Sequence, residues 1–415
     1  MGDSNAGVAL GVLVALTVVV GCQGGAADSE WAGEMRDSAG VVLVESFGAP
    51  LWDSAAAWRV GPELVVGGDE ARPETLFGYV ADLAVDRAGR IYVLDQQAQA
   101  IRVFGPDGST VRTLGGPGRG PGEISRFALS LVARGDTLLL VDWGQARLTR
   151  YHVDGRFLDA APLPTQGGAR TWWRAGDDAL YLRSLQRYAD ARGRWQGRDA
   201  LLRLEPATGA DTLLVFEYSP TDLGGPGAAR FPLLVNAPSW TVLEGGRIAW
   251  LDLDQGRIRV HDATGALRRI VWSRAWARRV PTTAEVAVLE GKAGDKLEML
   301  GGSREALDRL PVEGPDRLPA VTSVVAGPEG TLWAQRLGRI EDVHPMALNT
   351  PDPPSGYGGG TWDVLDAEGR LLGSIELPVR ARVMRVVGDA VYAVQRDELD
   401  VERVVRLRVS RAPAG

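Results

Sequence analysis

The chain has 415 residues, including 53 glycines and 13 tryptophans, and its 46 basic and 53 acidic side chains leave a formal charge of -7. A net negative chain without a clustered basic surface excludes a nucleic-acid partner, because phosphate backbones are held by grouped Lys and Arg. The one cysteine, Cys22, excludes an internal disulfide, a cysteine-built metal knuckle and a Cys–His nucleophile pair. Length alone suggests two or three domains, but the glycine and tryptophan content, with no sustained heptad, favours one large repeat-built β body. Basic residues are nearly all arginine, with lysine only at Lys292 and Lys296, and a high-GC genome accounts for that bias.

Residues 6–20 (AGVALGVLVALTVVV) are too short an apolar run for a comfortable membrane span and fit the core of a secretory signal. The Val19-Val20-Gly21-Cys22 step resembles a bacterial lipobox, which implies acylation of Cys22 and a lipid bilayer as partner. The leading MGDSN lacks the Lys or Arg expected there, a departure that a misassigned start codon would explain. Gln23, where an Asp would retain a lipoprotein at an inner membrane, points to outer-membrane sorting. The expected organisation is a lipoprotein signal over 1–22, a polar tether over 23–40 and a folded body over 41–411, at the periplasmic or extracellular face of the cell envelope.

Residues 81–123 hold a complete unit of four short β-prone runs separated by Gly, Pro and Asp turns. Its second run (89–95, GRIYVLD) recurs at 135–142 (GDTLLLVD) and 246–252 (GRIAWLD), and more loosely at 178–182, 330–334 and 389–393. Its third run (101–108, IRVFGPDG) recurs at 148–155, 202–209, 258–265 and 362–369. Six copies imply six four-stranded blades. Side chains on both faces of Ile91-Tyr92-Val93-Leu94 are apolar, as required of a strand covered by a neighbouring blade on each side. The pattern D-x-x-G-R-I-Y-V-x-D, I-x-V-F-x-x-D-G and G-G-x-G-x-G-P-G-E over residues 86–123 resembles an NHL-type repeat, which implies an all-β, six-bladed β-propeller of the NHL/TolB-like kind. Two β-prone runs, 41–44 and 62–66, precede the first blade, and one of them is expected to pair with the C-terminal strand and close the ring.

Between blades four and five, residues 281–310 have helical composition. Thr282 and Glu285 stand at capping-box spacing, and Gly291, Gly294, Gly301 and Gly302 are expected to divide the segment into two or three short helices. The loops joining second and third strands are long in blade three (184–199) and blade five (335–360), and unpatterned loops of that length are more often functional. With the helical segment they are expected to share one face and form a lid beside the channel mouth.

Arg and Trp recur on the channel-lining strands: Arg170, Trp172, Trp173 and Arg174 in blade three, Trp240 in blade four, and Arg380, Arg382 and Arg385 in blade six. Guanidinium forks bind oxygens and indoles offer stacking faces, which suits an anionic or sugar-like ligand. Arg170, Trp173, Trp240, Arg380 and Arg382, with Tyr357 of the blade-five loop, are the candidate ligand contacts, although tryptophans also pack between blades. Strand alternation puts Arg380 and Arg382 on one face and Arg385 on the other.

Three alternatives are weaker. The Gly115–Glu123 glycines lack the Gly-Lys-Ser/Thr end and following helix of a phosphate loop and read as a blade-to-blade crossover. The three histidines do not register together, since His152 and His261 end third strands near the rim and His344 lies in the blade-five loop, so no metal ligand set is assigned. A calcium-dependent lactonase, by analogy with other propellers, would draw on Asp82 and Glu244 at inner-strand positions, but carboxylates and asparagine are scarce there. The whole chain resembles the six-bladed β-propeller lipoproteins of bacteria, which implies a monomeric, membrane-anchored module that binds a protein or glycan at its channel mouth without a cofactor. The alternative is a metal-dependent hydrolase or lyase using the channel, with calcium as the metal.

Overall fold

A computed structural model describes residues 31–411, apart from 54–55, 69–74, 164–170, 176–178, 190–194, 206–208, 219–230, 234–238, 254, 300, 310–311, 346–347, 349–358, 379, 398 and 400. Its strands form the six antiparallel blades that the repeats predict. From channel to rim, blade one runs Val80–Val85, Ile91–Asp95, Ala100–Phe104 and Thr110–Gly115, and blade two Ala128–Arg134, Thr137–Asp142, Arg147–His152 and Phe157–Pro162. Blade three runs Thr171–Ala175, Leu180–Ala189, Trp195–Glu205 and Gly209–Tyr218, and blade four Ser239–Val242, Ile248–Asp252, Arg257–His261 and Leu267–Ser273. Blade five runs Val321–Ala326, Leu332–Arg336, Thr361–Leu365 and Leu371–Glu376, and blade six Ala381–Val387, Ala390–Arg396 and Glu402–Ser410.

The fourth strand of blade six is Arg59–Val66, antiparallel to Glu402–Ser410 with Val66 opposite Val404. The run at 62–66 is therefore the one that closes the ring. The other run, within Val41–Ser46, lies parallel to the outer strand of blade four and pairs in turn with Gly33–Ser38, so that blade has six strands.

Apolar side chains meet in a continuous series of cores between blades. Ile91 and Val93 face blade six, packing with Tyr392 and Val404, while Tyr92 and Leu94 face blade two, packing with Leu138 and Leu140. All four are fully buried, as two covered faces demand. Similar cores join blades two and three through Val141 and Leu182, three and four through Leu201 and Trp240, four and five through Leu251 and Val324, and five and six through Trp362 and Val405.

Inner strands have a free edge, and side chains of neighbouring blades satisfy it. The Ser239 hydroxyl accepts from the Val324 N–H at 3.1 Å, and the Thr241 hydroxyl from the Ala326 N–H at 3.2 Å. The aspartates that end the second strands of blades one and two act in a similar way. Asp95 accepts from Gly78 and Tyr79, and Asp142 from Ser125, so these carboxylates fix the chain as it enters the blade. Gly115 begins the crossover to blade two at φ +73, where a Cβ would come within 2.5 Å of Ile124, and Arg147 pins the loop through the carbonyls of Gly120 and Glu123.

Two expected irregular regions are ordered otherwise. Residues 184–199 are mostly a hairpin extending blade three, with Leu185 opposite Asp199 and Ala189 opposite Trp195. Backbone pairing carries this extension beyond the blade's core. The helical segment is one helix, α1 (Thr283–Met299), followed by a 3-10 turn, Arg304–Arg309. Gly291 and Gly294 do not break it, because each weakens a helix by only about 1 kcal/mol, and Gly294 gives Arg304 room to lie on the helix: a Cβ there would stand 2.6 Å from Arg304 Nη1. The capping box is present, with Glu285 N–H donating to Thr282 Oγ1 at 3.2 Å and Thr282 N–H to Glu285 Oε2 at 2.9 Å.

Candidate functional site at the capped channel mouth

One end of the propeller carries the loops between second and third strands and the connections between blades. On it, three segments remote in sequence share a small apolar core: Leu233 before blade four, Leu289 and Ala293 of α1 with Leu318, and Ile340, Val343 and Leu348 of the blade-five loop. A parallel bridge between Phe231–Pro232 and Val312–Glu313 ties the first two together. The result is a cap, and its polar underside is built from α1. Leu289, Ala293 and Lys296 are buried at helical spacing, so this face packs into the cap, and Lys292 borders it. Lys292 Nζ donates to the Glu341 carbonyl at 2.8 Å and Lys296 Nζ to the Leu348 carbonyl, which positions both ammonium groups while leaving their charge intact.

Below the cap lies the junction of blades six and one. Arg382 donates to the Tyr79 hydroxyl at 3.3 Å and to the Val80 carbonyl, with its guanidinium 5.5 Å from the Tyr79 ring centre. Arg396, ending the second strand of blade six, pairs with the buried Glu402 at 2.9 Å. His344, from the blade-five loop, sits between these groups. Burial foremost, then the charges of Arg396, Arg382, Lys292 and Lys296, drive its imidazole down to about 3, so it is neutral at ordinary pH. Arg380 is near enough to add to the positive field at Lys292, whose own charge is balanced in part by Asp295, Asp342 and Glu341. Charges of blade six and of α1 thus act on one buried, neutral histidine.

Deeper in the channel, the buried Asp82 pairs with the partly exposed Arg385 at 2.9 Å. Asp82 also accepts from the N–H groups of Leu83 and Leu131 and from the Ser130 hydroxyl. Its lone pairs are committed to stitching blades six, one and two, which leaves it a poor calcium ligand. Glu244 is not on an inner strand: it lies in the Glu244–Gly246 turn after the inner strand of blade four, at the opposite end of the channel. Among the described residues, no three His, Cys, Asp or Glu side chains are grouped as metal ligands are. His152 faces Asp154 at 2.9 Å, and His261 accepts from the Trp250 indole at 2.9 Å, each on its own third strand away from the mouth.

The expected ligand contacts divide accordingly. Arg380 and Arg382 come to the mouth, but Arg380 stands in a turn at φ +61 ahead of the strand. A register shift between Val383 and Arg385 overrides simple alternation and returns Arg385 to the channel, beside Asp82. Trp240 is corrected from ligand contact to core: it is 2 % exposed and packs against Tyr181 and Leu201 of blade three. Trp173 is placed on the inner strand of blade three by its backbone, while its side chain, and Arg170, Tyr357 and Cys22 altogether, lie outside the described residues. Sequence patterns do not bring His344, Arg396 and the two lysines to one site. The available signal is Lys292 and Lys296 themselves, the only lysines of the chain, four residues apart on the cap helix.

A family model described as a 6-bladed β-propeller, DUF5128, matches residues 70–189. No curated protein matches in sequence. Among solved structures, a member of the DUF4221 family from Bacteroides vulgatus is 13% identical over 86% of this chain and 98% of its own, with a TM-score of 0.49. Virginiamycin B lyase from Staphylococcus aureus is 11% identical over 85% and 99%, at 0.40, and a calcium-binding protein, regucalcin, from Agrobacterium tumefaciens is 11% identical over 84% and 95%, at 0.42. By its six blades, closed through an N-terminal strand, and by the family match over 70–189, the chain is a six-bladed β-propeller.

Proposed function

We propose that the protein is a binding module, anchored to a membrane outside the cytoplasm by acylated Cys22, that takes its ligand at the capped mouth of the propeller. The observation that carries the reading is the cap. A connection, an inserted helix and a loop, drawn from different blades, build their own apolar core over a mouth lined with preset polar groups. Closing a propeller requires none of these segments, and concave mouths with a few convergent polar groups are where small ligands bind. The anchor rests on the residues 6–22 pattern.

A thermal-shift screen of sugars, peptides, nucleotides and organic acids on the full chain tests the binding. Ligands that stabilise the native chain should lose their effect in Leu289→Asp, which puts a charge into the cap core, and keep it in Arg87→Glu on the opposite face. Equal shifts in all three chains would place binding elsewhere. Fatty-acid labelling that persists in Cys22→Ser would remove the anchor.

A further inference from the structure

We infer that the propeller lies with its mouth end against the bilayer that holds acylated Cys22, seated through the exposed apolar side chains of that end. The inference rests on the anchor proposed above and adds the surface that faces the membrane, with a lipid headgroup layer as its partner. Two features of the fold carry it independently. The first is where the chain enters the blades. Trp31 and Ala32 are tied at the mouth end of the rim of blade four: the Trp31 indole donates to Ser46 Oγ at 3.1 Å, and the Ala32 carbonyl accepts from the Phe47 and Gly48 N–H groups at 3.0 and 3.2 Å. Ser46 stands opposite Ser273, the last residue of an outer strand that runs toward the mouth. Trp31 is nine residues from Cys22. By whatever path, that length spans at most about 32 Å, whereas a compact body of this size is roughly 50 Å across. The far rim, at blade one, is thus held away from the lipid, and the mouth corner of blade four is the part attached to it.

The second feature is the distribution of exposed apolar groups. Among the described residues, the four most exposed large apolar side chains are Leu399, Val280, Met299 and Phe127, at 55–79 %. All four belong to the mouth end: Leu399 to the loop between second and third strands of blade six, Phe127 to the entry of blade two, Val280 to the connection into the cap and Met299 to the end of α1. Phe47 joins them where the chain enters, with the Arg274 guanidinium 4.8 Å from its ring centre. Phe127 is held in place, its N–H donating to Ser125 Oγ at 3.2 Å and its carbonyl accepting from the Trp143 N–H at 3.1 Å. The opposite end is built of charged turns, in which Asp86, Asp107, Asp262 and Asp366 each accept the N–H two residues on. Pressing those carboxylates into a headgroup layer would strip their hydration. Aromatic and aliphatic tips with arginine beside them suit the same layer, since the apolar parts dip inward and the guanidinium stays among the headgroups.

The full acylated chain in vesicles of phosphatidylethanolamine and phosphatidylglycerol tests the inference. Acylation occupies the thiol of Cys22, the single cysteine, so Phe127→Cys, Val280→Cys and Leu399→Cys each offer one thiol for a polarity-sensitive fluorophore. Val387→Cys, 48 % exposed beside the turn at the opposite end, is the control. All four side chains are exposed, so the cores are untouched. Labels at 127, 280 and 399 should shift to the blue and lose intensity to headgroup-nitroxide lipids, and the label at 387 should do neither. Equal quenching at both ends, quenching at 387 alone, or none at any position while Cys22 carries fatty acid overturns the orientation and leaves the anchor standing. A blue shift that grows with protein concentration in detergent, without quenching by the nitroxide lipids, assigns the face to a second copy of the chain and overturns the inference as well. Absence of fatty acid on Cys22 removes the anchor and the orientation together.

Discussion

The carboxylate of Glu402, on the third strand of blade six, accepts the backbone N–H of Val80, where blade one begins. Arg382 takes the Val80 carbonyl, so blade six holds both polar groups of that peptide position. Glu402 is 2 % exposed and pairs with Arg396, which makes it a brace between the ring and the mouth. Glu402→Ala leaves a partly buried guanidinium and a buried N–H without this acceptor, and should cost about 2 kcal/mol or more in urea unfolding. Glu402→Gln keeps a neutral acceptor for Val80 and should cost distinctly less. Equal losses for the two would mean that the charge carries the whole effect.

Ring closure depends on an N-terminal strand paired with a C-terminal one, and Val66 sits in that strand and in the core between blades six and one. A charge at this buried position has no partner, so Val66→Asp should destabilise by at least about 3 kcal/mol. Limited proteolysis should then cut first near residues 59–66 and at the freed edge of Glu402–Ser410. Cleavage beginning within blades one to four would contradict a ring that opens at this seam.

The α1 capping box gives a local prediction. The Arg279 guanidinium, with the Thr282 N–H and hydroxyl, holds the Glu285 carboxyl down at about 2. A carboxyl depressed in the native state stabilises above its unfolded pKa and loses that contribution as pH falls through the native value, here between about pH 4.5 and 2. Thr282→Ala should lower the stability of the first turn by about 1 kcal/mol. Amide exchange should speed up at residues 283–286 and stay unchanged in the blades. Faster exchange across all of α1 would mean that the cap unfolds as one unit.

Most of the ring is legible in the chain because each blade repeats the same solution: Ile91 to Leu94 apolar on both faces, and Asp95 closing the strand. Residue chemistry alone does not place Trp240, since an indole on an inner strand serves equally well as a stacking face or as packing. Its flanking hydroxyls turn toward blade five, which points the ring to blade three. Arg385 is redirected by a bulge that the sequence does not mark, and the blade-three hairpin runs on because a strand need not end with its blade. His344 stands far from His152 and His261 in the sequence, which hides its surroundings. Its neighbours are cations on α1 and blade six, brought to it by the packing of a loop and a helix whose positions no local periodicity records.

The basicity of His344 gives the last prediction a sign. Its folded pKa is about 3 and its ordinary value 6.5, so between those values the unfolded chain binds a proton that the folded chain refuses. Stability is therefore fully present above pH 6.5 and falls as the solution is acidified, by up to about 1.4 kcal/mol per pH unit from this group. Burial sets the sign first, and the charges of Arg396 and Arg382 of blade six and of Lys292 and Lys296 of α1 add to it, with Glu402 the opposing carboxylate beside Arg396. His261 is also depressed by burial and adds the same trend, so the test is a difference. Urea unfolding of the native chain and of His344→Asn should be compared from pH 7.5 to 4.5, without phosphate or citrate. The two curves should converge toward low pH, since the asparagine variant lacks the proton-linked loss. Parallel curves would show that His344 keeps an ordinary pKa, against its burial and the charges that act on it.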